Sequence, residues 1–231
     1  MDRVRIVEDK GPKLGSVVSA DALGVGDDSL FPLQAALGYD IAQHLFIGDT
    51  NLLVEGPSDF LYLDTISRYL ESLGRKSLNE RWRILPAGGS SNIPAFITLL
   101  GRNLNVTVLV DSGTEGVGRL QNAMEAGRLK SDRLISVGEI TGCRHADIED
   151  LFTESDYLEL FNVAFGTKLK SGQLKKGGDR IVQRIEQTHK KFDHYKPAEV
   201  LLREQTTLLP ILAEATLDNF EQLIVRINST L

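Results

Sequence analysis

The chain has 231 residues, 42% of them hydrophobic and 25% charged, which is the composition of an ordinary globular protein with a sizeable core. With a formal net charge of −6, the chain has no overall excess of basic residues for binding nucleic acid. This charge argues against a nucleic-acid function without excluding it. The single cysteine, Cys143, excludes an internal disulfide and a multi-cysteine zinc site.

Membrane insertion and secretion have no signal in this sequence. No apolar run approaches the roughly 20 residues that a membrane helix needs. The N-terminus has Asp2, Arg3 and Arg5 close to Met1 instead of an apolar signal core. The sequence therefore predicts a cytoplasmic protein without a membrane partner.

The first 48 residues carry the weakest signals. They predict a short strand at residues 4–7, a break at Gly11-Pro12 and a modestly amphipathic stretch at residues 30–46. The sequence contains no Gly-x-x-x-x-Gly-Lys-Ser/Thr loop, so it encodes no P-loop nucleotide site. We interpret residues 1–48 as a lead-in from something upstream.

A strand followed by a helix is predicted around Glu55. Residues 52–54 form an unbroken apolar run, as in a strand covered on both faces, and Gly56-Pro57 then turns the chain. From Asp59 onward, apolar residues recur at helical spacing. A strand-end acid and a helix-start acid are thereby expected to converge. Alternatively, Asp59 only complements the helix dipole, worth about 0.3–1 kcal/mol, and Glu55 is solvated.

A second strand ends in an acid in the same way, because the apolar run at residues 106–110 leads directly into Asp111. Further strands at residues 82–85 and 134–137, separated by helical patterns, predict a parallel α/β sheet with right-handed crossovers. Sites in such sheets form at the carboxyl ends of the strands. We therefore expect Glu55 and Asp111 to lie at one edge of the sheet.

Two loops are open to two interpretations each. At residues 86–92, Gly88-Gly89 and the serines that follow either cradle a phosphate through backbone N–H groups or form a glycine-rich turn with a serine cap. In Asp147-Ile148-Glu149, an extended conformation would point both acids one way, whereas the alternative is a solvated acidic helix start. Beyond this segment the patterns are helical to the end of the chain.

Taken together, these segments resemble a known family. The segments are residues 54–59 with Glu55 and Asp59, the Gly88-Gly89 loop, the strand-borne Asp111, and residues 147–152. In that order and at those spacings they resemble a Toprim domain. More narrowly, they are similar to the C-terminal nuclease half of the OLD (overcoming lysogenization defect) family. The resemblance covers residues 48–155 well and the helical remainder more loosely.

The resemblance implies an α/β fold, with a Toprim-like parallel sheet core flanked by helices and an appended C-terminal helical subdomain. It divides the chain into a lead-in at residues 1–48, a catalytic core at 49–155 and a helical subdomain at 156–231. In OLD proteins an ATPase half precedes the Toprim half. An upstream ATPase domain of the same full-length chain is therefore an expected partner.

Toprim carboxylates bind Mg²⁺ or Mn²⁺ for phosphodiester chemistry, so the resemblance implies a site for two such ions. The common pattern places a second acid two residues after the strand-borne one, where this sequence has Gly113. Carboxylates about 4 Å apart repel by roughly 4 kcal/mol at an effective dielectric near 20, so a metal-free cluster would be unfavourable. The expected ligands are Glu55, Asp59, Asp111, Asp147 and Glu149, the last two replacing the missing acid.

A lysine near the scissile phosphate would stabilise developing charge. OLD nucleases place a functional lysine in the helical region after the core, and the resemblance there favours Lys196, just before Pro197. The alternative is that Lys196 is an ordinary surface lysine.

The function expected from these residues is metal-dependent hydrolysis of DNA by a two-metal mechanism, as an endo- or exodeoxyribonuclease. One alternative is a metal-dependent nucleic-acid-binding or regulatory module that does not cleave. Another is a topoisomerase- or primase-type Toprim, although none of the five tyrosines stands in a recognisable catalytic context.

Overall fold

The structure is a computed structural model. It describes residues 6–9, 15–19, 50–100, 105–113, 120, 124, 129–175 and 180–231. The amphipathic stretch predicted at residues 30–46 and most of the helix expected after Gly113 lie outside these ranges. The chain divides into two units, Met1–Ile47 and Gly48–Leu231. In the first unit, β1 (Ile6–Asp9) and β2 (Ser16–Ser19) pair antiparallel.

The second unit is built on a parallel sheet of four strands, β3 (Thr50–Val54), β4 (Arg83–Pro86), β5 (Asn105–Val110) and β6 (Leu134–Ser136). Their order in the sheet is β4-β3-β5-β6. Leu53 of β3 lies opposite Leu85 of β4 on one side and Val108 of β5 on the other. The carboxyl ends of the two central strands are therefore nearly level.

Helices follow or flank these strands, and their ends have local causes. The first begins with Pro57, whose missing N–H costs nothing at that position. The fourth is capped by Thr153, whose Oγ1 accepts a hydrogen bond from Asp156 N at 3.2 Å, and it ends at Gly166 with a φ of +63°. The helices are α1 (Pro57–Ser72), α2 (Ile93–Leu100), α3 (Gly138–Thr141), α4 (Glu154–Phe165), α5 (Ile181–Thr188), α6 (Tyr195–Arg203), α7 (Gln205–Leu208) and α8 (Glu214–Asn228).

The C-terminal helices share one hydrophobic core with the sheet. Leu52 and Val54 of β3 belong to the same buried cluster as Phe161 of α4, Leu201 of α6 and Phe220 of α8. Helix α1 packs against both α6 and α8 within this core. The prediction of an α/β fold with a helix-flanked parallel sheet and C-terminal helices is confirmed. The domain boundaries expected at residues 48 and 155 stay a prediction.

Polar contacts fasten α8 to the chain between α1 and β4. Arg75 Nε donates to Glu221 Oε2 at 2.9 Å, and the backbone N–H of Lys76 donates to Glu221 Oε1 at 2.8 Å. Asn228 Oδ1 accepts from Trp82 Nε1 at 3.0 Å.

None of the helices in the described ranges has the length and apolar character needed to cross a bilayer.

Two tyrosines in this core have buried hydroxyl groups. Tyr62 of α1 and Tyr157 of α4 are both 0% exposed and both pack against Phe152, with their ring centroids 5.0 and 6.0 Å from that of Phe152. The hydroxyls are neighbours and affect each other's pKa. Their geometry is not that of a hydrogen bond, however, and neither oxygen has a partner within the described part of the chain.

We expect Tyr157→Phe to leave the free energy of unfolding unchanged or to raise it by up to about 1 kcal/mol, because it keeps the ring and removes an unsatisfied buried group. Thr216→Val is the contrasting variant. The buried Thr216 hydroxyl accepts from Thr153 N at 2.8 Å and donates to Asp156, so its loss should cost about 1–3 kcal/mol. Urea denaturation measures both values, and a loss above about 1 kcal/mol for Tyr157→Phe would show that its hydroxyl is satisfied.

Candidate metal centre

Glu55 and Asp59 meet where β3 gives way to α1. Gly56 caps the helix in an extended conformation, and its N–H donates to Asp59 Oδ2 at 2.8 Å. Glu55 Oε1 accepts from the backbone N–H of Asp111 at 3.0 Å, which joins the ends of β3 and β5. The expected convergence of the strand-end acid and the helix-start acid is therefore present, and Glu55 is half-buried, not freely solvated.

An isolated bridge brings the segment around Asp147 to the same edge of the sheet. Ser112 N donates to Ala146 O at 2.7 Å, and Ala146 N donates to Ser112 O at 3.3 Å. Each of these residues directly follows or precedes an acid, so the bridge sets Asp111 and Asp147 beside each other. Gly138 packs against this bridge, because an added Cβ would lie 2.6 Å from Ser112 Oγ.

The segment after the bridge differs from both sequence interpretations. Residues Ile148–Leu151 form a 3-10 helix with Asp147 as its N-cap, so the extended conformation was wrong. Glu149 is only 4% exposed, so the solvated helix start was wrong too. Asp150 holds the turn together, since its carboxylate accepts from Asp147 N and Ile181 N, each at 2.8 Å. The turn is therefore anchored to the start of α5 while it carries two buried acids.

The acids from these three segments act on one another electrostatically. Burial, together with the charges of Glu55 and Asp147, raises the pKa of Asp59 to about 7. Burial and the charges of the four other acids raise the pKa of Asp111 to about 10. Burial and the charges of Asp59 and Asp147 hold the pKa of Glu149 well above its usual range. We call Glu55, Asp59, Asp111, Asp147 and Glu149 the acid cluster.

Arg180 is a cation at this cluster that the sequence analysis missed. Its Nη1 donates to Asp147 Oδ1 at 2.9 Å. The hydrogen bond to Asp147 and the charges of Asp147, Asp111 and Asp150 raise its pKa. A lone arginine before a helix has no sequence signature, which is why its role became visible only in the fold.

The donor set suits a hard divalent cation, because it consists of carboxylate oxygens that repel one another in a desolvated site. In the described ranges, no three acidic, histidine or cysteine side chains are yet arranged to hold an ion. Asp59, Glu55 and Asp147 are engaged with Gly56 N, Asp111 N and Arg180. Ion binding would therefore require these carboxylates to turn toward a common point.

The model of the "Overcoming lysogenization defect protein-like, TOPRIM domain" family matches residues 46–112, which carry Glu55, Asp59 and Asp111. Residues 46–112 are therefore similar to an OLD-like Toprim domain. Such a domain is a metal-binding module of the nuclease and primase type, and Toprim domains bind divalent metal ions.

Among solved structures, this chain is similar to the C-terminal region of the Xanthomonas campestris pv. campestris OLD protein. The identity is 16% and the TM-score is 0.46, over 80% of this chain and 98% of that one. These values are too low for a comparison of individual site residues. No curated protein matches the chain.

The position of the second Toprim acid disfavours a side chain here. Gly113 has a φ of +154°, and a Cβ on it would lie 3.3 Å from His145 Nδ1. Both the backbone and the neighbouring ring therefore favour glycine. This agrees with the expectation that Asp147 and Glu149 replace the missing acid, which stays a prediction.

The structure places Lys196 on an aromatic surface. Its Nζ lies 5.6 Å from the ring centroid of Phe165, which packs in turn on Phe161 and Phe192. The main charges acting on Asp59, Asp111 and Glu149 do not include Lys196. The predicted role of Lys196 at the scissile phosphate therefore has no contact with the acid cluster to support it.

The Gly88-Gly89 loop closes on its own backbone. Gly89 N donates to Glu55 O at 2.7 Å, and the side-chain amide of Asn92 donates to the carbonyl oxygens of Ala87 and Gly88, each at 3.1 Å. Gly88 and Gly89 both have positive φ angles, +73° and +120°. The loop is thus a glycine-rich turn closed by Asn92, not by a serine, and it supports the backbone of Glu55.

We predict that the metal-free domain loses stability as the pH rises. Asp59 has a pKa of about 7 in the fold against 3.8 ordinarily, so its protonated form is favoured on folding. The stabilisation from protonated Asp59 is complete below about pH 4 and is lost as the pH rises through 7. Asp111, with a pKa of about 10, extends the loss of stability toward pH 10. At about 1.4 kcal/mol per pKa unit, the loss in free energy of unfolding should exceed about 1 kcal/mol.

Denaturant unfolding in EDTA at several pH values measures this loss. Asp59→Asn should be more stable than wild type at pH 8 and should show a flatter profile. Asp64→Asn is the matched control on α1. Asp64 pairs with Arg68, whose Nη2 lies 3.0 Å from Asp64 Oδ2, and neither residue belongs to the acid cluster. A wild-type stability that increases from pH 5 to pH 8 would contradict the prediction.

Proposed function

We propose that this chain is the catalytic region of an OLD-type DNA nuclease that hydrolyses phosphodiester bonds with two Mg²⁺ or Mn²⁺ ions. The observation that supports this most is the acid cluster itself. Three segments far apart in sequence deliver five carboxylates to the carboxyl edge of one parallel sheet, where burial and mutual repulsion raise the pKa values of Asp59, Asp111 and Glu149.

In this proposal Glu55, Asp59, Asp111, Asp147 and Glu149 hold the ions. Divalent cations bound there would supply an activated water and stabilise the leaving oxygen of an in-line displacement. The chain's own residues set the geometry: Gly56 N orients Asp59, Asp111 N orients Glu55, and the Ser112–Ala146 bridge brings Asp147 and Glu149 to the edge. Neutralising the cluster would also lower its repulsion of DNA.

The resemblance to OLD proteins extends the proposal to the rest of the protein. We propose an ATPase domain ahead of residues 1–48 in the same full-length chain, with DNA as the substrate and the cytoplasm as the location. Strand passage by a tyrosine is disfavoured for Tyr62 and Tyr157, because both are 0% exposed. Neither hydroxyl can reach a DNA phosphate without unpacking the core.

A second candidate function is a metal-dependent nucleic-acid-binding module without cleavage. The observation in its favour is Gly113, which stands where the common Toprim pair has its second acid, at a positive φ that disfavours a side chain. If Asp147 and Glu149 do not replace that acid, the site would hold fewer ions than two-metal hydrolysis requires.

Cleavage of supercoiled plasmid separates the two functions. We expect nicked and linear products with Mg²⁺ or Mn²⁺ and none in EDTA, whereas a binding module would give only a mobility shift. Asp59→Ala and Asp111→Ala should abolish cleavage, because each removes a ligand, while the fold is retained or stabilised by the lower repulsion. Asp64→Ala, on the same helix as Asp59, should cleave normally. Cleavage by Asp111→Ala at the wild-type rate would refute the assignment of the site.

Lys196 can be tested separately. If it contacts the scissile phosphate in the transition state, Lys196→Ala should lower the single-turnover rate at saturating DNA by roughly 10²-fold with little change in affinity. If Lys196 is instead a diffuse DNA contact, Lys196→Ala should weaken DNA binding and lower its salt dependence by about the contribution of one phosphate. Lys190→Ala and Lys191→Ala are controls expected to follow the second pattern. An unaltered rate for Lys196→Ala would remove this residue from the mechanism.

A further inference from the structure

Arg180 combines a fixed backbone with a partly free side chain. Its neighbour Ile181 donates its N–H to Asp150 Oδ1 at 2.8 Å, which fixes the start of α5 to the 3-10 helix carrying Glu149. The side chain of Arg180 is 40% exposed, whereas that of Asp147 is 11% exposed. The guanidinium therefore extends from a fixed backbone to Asp147 and stays partly open to solvent.

Only one donor of this guanidinium has an acceptor in the described ranges, through Nη1 to Asp147 Oδ1. A guanidinium has five N–H donors in a planar fork, which matches the oxygens of a phosphate. The charges of Asp111 and Asp150 also act on Arg180. Its remaining donors are therefore available to a phosphate that approaches these carboxylates.

Arg180 and a divalent ion compete for the same carboxylate. Asp147 Oδ1 accepts the arginine in the present structure, and the same side chain is a proposed metal ligand. An ion with two positive charges at a carboxylate lowers the attraction of that carboxylate for a second cation. Loading the site would therefore weaken the Arg180–Asp147 pair and release the guanidinium at the rim of the cluster.

We propose that Arg180 is a two-state cation: it neutralises Asp147 in the metal-free site, and it binds a non-bridging oxygen of the DNA phosphate once divalent ions hold Asp147. This proposal rests on the proposed nuclease function for the identity of the phosphate. It makes Arg180 a substrate-binding residue, with a role that the resemblance had assigned to Lys196.

The two states predict that Arg180→Ala changes the affinity for Mn²⁺ and the affinity for DNA in opposite directions. Without the competing cation, Mn²⁺ should bind several-fold more tightly, as measured by titration calorimetry. With Ca²⁺ in place of Mn²⁺ to limit cleavage, affinity for a short DNA duplex should fall roughly tenfold, because a charge-assisted hydrogen bond to phosphate is lost. The single-turnover rate with Mn²⁺ should fall by about 10²-fold. Arg180→Lys should keep part of the affinity, since lysine keeps the charge but not the fork.

Arg184→Ala is the matched control. Arg184 lies one turn further along α5 and pairs with Glu154 at 2.5 Å, outside the acid cluster. This variant should leave both Mn²⁺ affinity and DNA affinity unchanged, although it removes the same charge from the same helix.

Two outcomes would overturn the proposal. Weaker Mn²⁺ binding by Arg180→Ala would show that the arginine only positions Asp147. Unchanged DNA affinity in Ca²⁺ would show that it does not meet the phosphate. If wild-type protein binds DNA but cleaves none, the nuclease function fails on its own, and the metal and DNA affinities of Arg180→Ala still decide the role of this arginine.

Discussion

Repulsion between buried carboxylates is the constraint on which this structure depends. The acid cluster gathers five acidic side chains at one edge of the sheet, and burial there removes the water that would screen their charges. The fold holds them by specific contacts: Gly56 N to Asp59, Asp111 N to Glu55 and Arg180 to Asp147. Each contact favours an ionised carboxylate. Burial and repulsion between the acids nevertheless raise the pKa values of Asp59 and Asp111. The cluster is costly to the domain unless a cation offsets its charge.

The rest of the domain supplies the rigidity that such a cluster requires. Helix α1 carries Asp59 in its first turn, and it is packed along its length against α6 and α8 in a core continuous with the sheet. Arg75 and Asn228 fasten α8 to the chain that follows α1. The C-terminal helices therefore help to hold Asp59 in place against repulsion from the neighbouring acids. In this way the hydrophobic core supports the candidate metal centre.

The parts of the fold that repeat a pattern were predictable from the sequence. The apolar runs before Glu55 and Asp111 predicted β3 and β5 because strands buried on both faces exclude polar residues. The helical spacing after Asp59 predicted α1 in the same way. Position at strand ends was then enough to place Glu55 and Asp111 together.

The rest of the site depends on contacts that leave no pattern. The Ser112–Ala146 bridge is a single pair of residues, and it alone explains why Asp147 lies beside Asp111. The 3-10 turn that buries Glu149 is held by Asp150, an acid whose neighbours in sequence gave no sign of its partners Asp147 N and Ile181 N. Arg180 reaches Asp147 across 33 positions of sequence. Such contacts follow from tertiary packing, so only the folded chain reveals them.

We infer that the acid cluster carries protons until divalent ions replace them. Calorimetric titration of Mn²⁺ at pH 7, repeated in buffers with different ionisation enthalpies, counts the protons released per ion bound. The raised pKa values of Asp59 and Asp111 predict the release of about one proton or more per chain, and tighter binding as the pH rises. Binding without proton release and with no dependence on pH, or no binding at all, would contradict the claim.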